Sequence, residues 1–170
     1  MLFRFFDTTG VKDSKKMTSN QRANVYERLH RDAYVGVGRV NASEIDEIGM
    51  GRSRRLVFHR ALDSLLEAHP SLSLQKIIVD GTLFESYRNV VHECIPGADC
   101  KFSHVAAASI VAKHTRDTDL LSLCDEHPEL ASQYGWRKNK GYPTSAHRIA
   151  VSEFGFTQFH RRTFNVRPPA

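Results

Sequence analysis

Cysteine is scarce in this chain of 170 residues: Cys94, Cys100 and Cys124 make an odd count with no Cys-X-X-Cys spacing. That pattern argues against a disulfide framework or a zinc site and fits a reducing, intracellular setting. No apolar run approaches membrane-spanning length. The apolar start, residues 1–6, is too short for a signal peptide and lacks a small-residue cleavage pattern. A phosphate-cradling glycine loop is missing as well, which speaks against a nucleotide-binding α/β enzyme. Internal repeats, low-complexity blocks and linkers are not found either. These absences leave a single cytoplasmic domain over residues 1–170, without a membrane partner and with residues 165–170 as a frayed tail.

What is present is a core's worth of apolar residues, 41%, and a net charge of +5 with an isoelectric point near 9.3. The first suffices for one globular core, and the second favours an anionic partner such as nucleic acid. Periodicity predicts a helix from Ser19 to His30 capped by Thr18, and a strand over Tyr34–Val40. Residues 41–43 cap a short acidic helix ended by Gly49, and Arg52–Glu67 is a longer amphipathic helix. Lys76–Val79 reads as a strand buried on both faces, with a second short strand over Val90–Cys94. A small-residue run, Val105–Ala112, leads into a helix that Pro128 breaks, and a last helix covers Thr144–Phe154. The fold class is α/β with a helical C-terminal part.

Two acids stand where chemistry is usually placed. Asp80 ends the buried strand, the position at which α/β sheets hold ligands. Asp99 opens the small-residue helix, whose Ala and Ser positions allow close packing behind it. Two such carboxylates suit a hard cation, Mg²⁺ or Mn²⁺, and ions of this kind clamp in-line phosphoryl displacement. A strand-end Asp is as often a turn former. The segment from Trp136 to Tyr142, WRKNKGY, has the make-up of a nucleic-acid contact, or of a solvated basic loop.

Four motifs follow one another in order: DSKKMTSNQR (13–22), VDG (79–81), GAD…AAASIVAKHTRD (97–117), and KNKGYPTSAH (138–147) with FTQFHRRTF (156–164). With these the chain resembles ribonuclease HII, the type 2 ribonucleases H that cut RNA–DNA hybrids and DNA carrying embedded ribonucleotides. The long small-residue run ending in AKHTRD is the most specific of the four. The resemblance implies a ribonuclease H-like mixed sheet flanked by helices, and an active site of four acids. Asp80 matches the third of these and Asp99 the fourth, both as catalytic metal ligands for Mn²⁺ or Mg²⁺. Tyr142 matches the tyrosine that stacks on the sugar at the RNA–DNA junction, and Lys15 and Lys16 match a phosphate-contacting segment. Asp117 matches a structural position. His147, Arg161 and Arg162 match positions without an assigned role.

One family motif has no counterpart. The Asp-Glu-Ala-Gly-Arg-Gly strand that supplies the first two acids does not occur in the twelve residues before Asp13. The resemblance therefore implies truncated N-terminal strands, with residues 1–12 a remnant and a missing N-terminal fragment a possible partner. Asp46-Glu47 looks similar, but it follows DSKK and aligns with an ordinary helix start. The function expected is metal-assisted hydrolysis of the RNA strand of RNA–DNA hybrids and 5′ of ribonucleotides embedded in duplex DNA. The alternative is hybrid binding without cleavage, or one piece of a split enzyme.

Overall fold

The computed structural model describes residues 7–164 and the backbone of Leu2 and Phe3. The expected frayed tail, 165–170, lies outside the described residues. Tertiary contacts gather the chain into two compact units: residues 1–40 with 51–114, and residues 41–50 with 115–170.

In the first unit, Asp13 caps a 3₁₀ turn, Ser14–Lys16, by accepting the Lys15 N–H. Helix α1, Ser19–Asp32, opens with a reciprocal capping box. Thr18 Oγ1 accepts the Gln21 N–H, and Gln21 Oε1 accepts the Thr18 N–H. One face of α1 is buried. Val25 and Leu29 pack with Met17 against Ala107, Ile110 and Val111 of α3, Ser103–Glu126. The Ala-rich run is thus a close-packing surface, as its composition suggests.

The pairs are β1 (Leu2–Phe3) with β2 (Ala33–Tyr34), antiparallel, and β3 (Lys76–Asp80) with β4 (Val91–Ile95), parallel. The expected strand over residues 34–40 is thus assigned only at its start. The stretch beyond leans on helix α2, Ala42–Ala68, at two glycines. A Cβ at Gly36 would lie 2.1 Å from the Ala61 carbonyl oxygen, and one at Gly38 would lie 2.0 Å from that of Val57. Only a bare backbone fits there. Within α2 the backbone at Gly49 is non-helical, with φ 77° and ψ 158°, so two helices meet there as the sequence predicts.

The second unit is helical. Pro128 stops α3 but also starts α4, Pro128–Gln133, because the first helical turn needs no proline N–H. Short helix α5, Trp136–Asn139, and helix α6, Ser145–Phe154, follow. Thr144 caps α6, and Gly155 ends it at φ 79°. The core joins Cys124, Ala131, Tyr134, Trp136, Ala150 and Val151, with the Tyr134 and Trp136 rings stacked 5.4 Å apart.

Candidate active site

Asp80 sits at the carboxyl end of β3, paired in register with Ile95. From there β4 runs through Gly97, whose φ of 69° turns the chain into the 3₁₀ turn Ala98–Cys100. That turn carries Asp99. The Ala98 N–H donates to Asp80 Oδ1 at 3.0 Å, tying the two acid-bearing segments together. Only one of Asp80's two oxygens is committed in this way among the described residues. Asp80 is exposed and Asp99 half-buried.

The DSKK turn lies beside this pair. Buried Ser14 meets Ser109 of α3 across 3.0 Å, hydroxyl to hydroxyl. The Cys100 thiol reports the local charges. It is pushed above its ordinary value first by the Asp99 charge, then by a hydrogen bond to Asp99, then by slight burial and by Asp13, while Lys16 acts in the opposite direction. Lys16 is therefore within electrostatic reach of the Asp99 turn, and both Lys15 and Lys16 are exposed. Ser14 and Ser109, which seat this turn, were not singled out as a pair by the sequence. Their side chains are short and 95 positions apart.

Two carboxylates on one strand end and one adjoining turn are a donor set that fits a hard divalent cation. Among the described residues, no group of three or more His, Cys, Asp or Glu side chains converges as a metal cage.

Tyr142 belongs to the second unit, on an exposed turn after α5, with the Arg116 guanidinium 4.7 Å from its ring centroid. Trp136, expected among the contact residues of the basic segment, is instead buried in that unit's core. The sequence signal was ambiguous because Trp136 borders basic residues that do face solvent. Asp117 pairs with its neighbour Arg116 at 3.1 Å, in keeping with a structural position.

Asp46 receives the Arg162 N–H on one oxygen and the Thr163 N–H and hydroxyl on the other. These bonds, the Thr163 hydroxyl first, hold its carboxyl below the usual value. Both oxygens accept hydrogen bonds, so this acid anchors the RRTF turn. A cavity of about 350 Å³ in the same unit is lined by Trp136, Phe159, His160, Arg116 and Arg161 among others, with no acid on its wall, so it offers no carboxylate to a cation. Burial lowers the affinity of His147 for a proton, and burial followed by the His147 charge brings His160 down to about 4.

A family profile described as Ribonuclease HII matches residues 2–167. The chain belongs to the ribonuclease HII family. The Ribonuclease HII of Bacteroides thetaiotaomicron is 41% identical over 157 residues, covering 92% of this chain and 74% of that protein. That of Christiangramia forsetii is 39% identical over 165 residues, covering 96% and 78%. Among solved structures, the ribonuclease H2 of Pyrococcus horikoshii superposes with a TM-score of 0.67 at 29% identity, over 92% of this chain and 78% of that one. The ribonuclease HII match extends over both compact units, and the structural likeness supports the expected ribonuclease H-like α/β fold. Among the described residues, no helix is long and apolar enough to cross a membrane.

Proposed function

We propose that this chain is an endoribonuclease that cleaves the RNA strand of RNA–DNA hybrids and the phosphodiester 5′ of ribonucleotides embedded in DNA, leaving a 3′-hydroxyl. The observation that carries the reading, beside family membership, is the Asp80–Ala98 hydrogen bond, which joins the strand-end acid to the turn of Asp99. Asp80 and Asp99 hold the divalent cation, Mn²⁺ or Mg²⁺. When bound, that ion supplies charge neutralisation at the scissile phosphate and acidifies the attacking water. Lys15 and Lys16 take up backbone phosphates beside the acids, and the Tyr142 ring lies against the sugar at the junction. Residues 1–170 act as one functional domain in the cytoplasm, a compartment consistent with three cysteines that are all free thiols.

A second reading, hybrid binding without cleavage, is favoured by the lack of a three-ligand cage among the described residues. Two carboxylates are few for two ions. A fragment carrying Asp-Glu-Ala-Gly-Arg-Gly would then complete the site. The deciding experiment incubates the chain with a duplex bearing one ribonucleotide in Mn²⁺ or Mg²⁺, with and without that fragment. Cleavage 5′ of the ribonucleotide that disappears in Asp80→Asn and Asp99→Asn supports the enzyme. Salt-sensitive binding with no cleavage in either arm supports the binder.

A further inference from the structure

Tyr142 is 51% exposed, so core packing does little to fix the ring expected to read a sugar. Its place is set instead by the backbone before it. Lys140 and Gly141 both adopt left-handed conformations, at φ 54° and 70°. For a lysine that conformation is unfavourable and persists only where surrounding bonds over-determine it. Two side chains supply those bonds.

From the inner side, Asn139 spans the turn. Its Oδ1 accepts the Gly141 N–H at 2.7 Å, and its Nδ2 donates to the Tyr134 carbonyl at 2.6 Å. Tyr134 is buried in the unit's core, so the turn is tied to a fixed point. From α3, Arg116 donates to the Lys140 carbonyl and, at 3.1 Å, to the Asp117 carboxylate, while the same guanidinium sits over the Tyr142 ring. A planar fork can make two divergent hydrogen bonds and still present a face to a ring, which an ammonium cannot do at once. One face of Tyr142 is thereby covered by the guanidinium, while half of the residue stays exposed.

We propose that Arg116 and Asn139 form a clamp that fixes the height and tilt of Tyr142 and so sets how strongly the chain distinguishes a ribonucleotide from a deoxyribonucleotide. Both are positioning residues: they act through the tyrosine and touch no substrate. The inference rests on the reading of Tyr142 as the junction reader and goes beyond it by naming what holds that residue.

The test measures fluorescence-anisotropy affinities of the full chain for two labelled duplexes, one with a single ribonucleotide and one all DNA. Their ratio is followed in wild type, Tyr142→Ala, Arg116→Gln, Arg116→Lys, Asn139→Ala and the Arg116→Gln/Tyr142→Ala double variant, with a melting curve for each. Loss of a ring stack should lower the ratio roughly tenfold in Tyr142→Ala. Arg116→Gln should lower it to a similar extent, and the double variant should be no worse than either single one, because the two act as a unit. Arg116→Lys should recover only part of the ratio. Asn139→Ala should reduce it as well, and provides the reading if Arg116→Gln melts below the assay temperature.

If Tyr142→Ala lowers the ratio while folded Arg116 and Asn139 variants keep it, the clamp is refuted and the tyrosine reading stands. If Tyr142→Ala leaves the ratio unchanged, or wild type shows no preference, both readings fall. If Arg116→Gln weakens both duplexes equally and lowers the salt slope by about one, Arg116 is a phosphate contact and the proposal is wrong.

Discussion

The acid pair of the first unit and the tyrosine turn of the second are held in opposite ways. The Asp80 carboxylate takes one hydrogen bond, from the Ala98 N–H in the turn that carries Asp99, and Asp80 is exposed at a strand end. Around Tyr142, Asn139, Arg116 and two left-handed residues fix nearly every polar group of the turn. The difference follows from what each must bind. Every donor placed on a carboxylate competes with a cation for the same lone pairs, so a metal ligand has to stay partly uncommitted. A ring that reads a sugar loses nothing by having its backbone saturated. Asp46 makes the contrast sharper: with three protein donors on its two oxygens, it is an acid spent on structure.

The largest effect should come from the partly committed acids of the first unit. Asp80→Asn or Asp99→Asn should lower cleavage of a ribonucleotide-bearing duplex by a factor on the order of a thousand or more, and a chelator should do the same. Melting temperature should hardly change, since Asn at position 80 still accepts the Ala98 N–H. A variant that loses activity only because it melts would place these acids with Asp46 as structural groups. Next in size are two packing changes, one of them Gly36→Ala. Its Cβ would meet the Ala61 carbonyl at 2.1 Å, and the fixed partner is helix backbone that cannot swing aside. Denaturant unfolding should show a loss of about 1–3 kcal/mol or more. Leu29→Ala, which opens a void in a fully buried site, should lose about 2–5 kcal/mol. A full-stability Gly36→Ala would mean that this stretch is not pressed on α2.

The sequence was most informative where local chemistry decides the outcome. Thr18 reads as a helix cap, Gly49 as a helix end, and the Ala-rich run as a packing surface, all from neighbours in the chain. The place of Asp80 at a strand end was legible from the apolar run before it, while the role proposed for it comes from motif order, since a strand-end Asp alone is equally a turn former. What was not legible depended on partners far apart. Residues 35–40 alternate like a strand, yet their glycines are occupied in contact with α2. Trp136 looked like part of a basic contact surface because sequence does not show which side of a short helix faces the core. Asp46 and Thr163 are 117 positions apart, and no periodicity links them.

Acid should act through histidines lowered by burial, His104 in the first unit and His147 and His160 in the second. A histidine on an unfolded chain titrates near 6.5, whereas buried His160 is brought down to about 4. Above the upper value both states are neutral, and this group adds nothing to the pH dependence. Between the two values the unfolded chain binds a proton that the folded chain refuses, so stability falls as pH drops from about 6.5 to about 4. His147, lowered by the same burial, acts in the same direction. Melting temperatures taken from pH 8 to 4.5 should therefore slope downward toward acid, and His160→Gln should flatten the slope. An unchanged slope in that variant would show that the cavity-side histidine does not govern it.

The smallest effect expected is at Asp46, and it separates the two kinds of acid most directly. Its carboxyl is held below the usual range, so the stability it contributes is present above about 3.8 and lost as pH falls through the lowered value, outside the histidine window. At neutral pH, Asp46→Asn keeps an acceptor for one backbone N–H but turns an amide donor toward the other. The site is solvent-facing, so the melting temperature should fall by no more than about 4 °C. Cleavage and duplex binding should stay at wild-type levels, in contrast to Asp80→Asn, which should do the reverse. If Asp46→Asn instead abolished cleavage in a chain that melts normally, a carboxylate that accepts three protein donors would be taking part in the chemistry, and the contrast drawn between the two kinds of acid would not describe this protein.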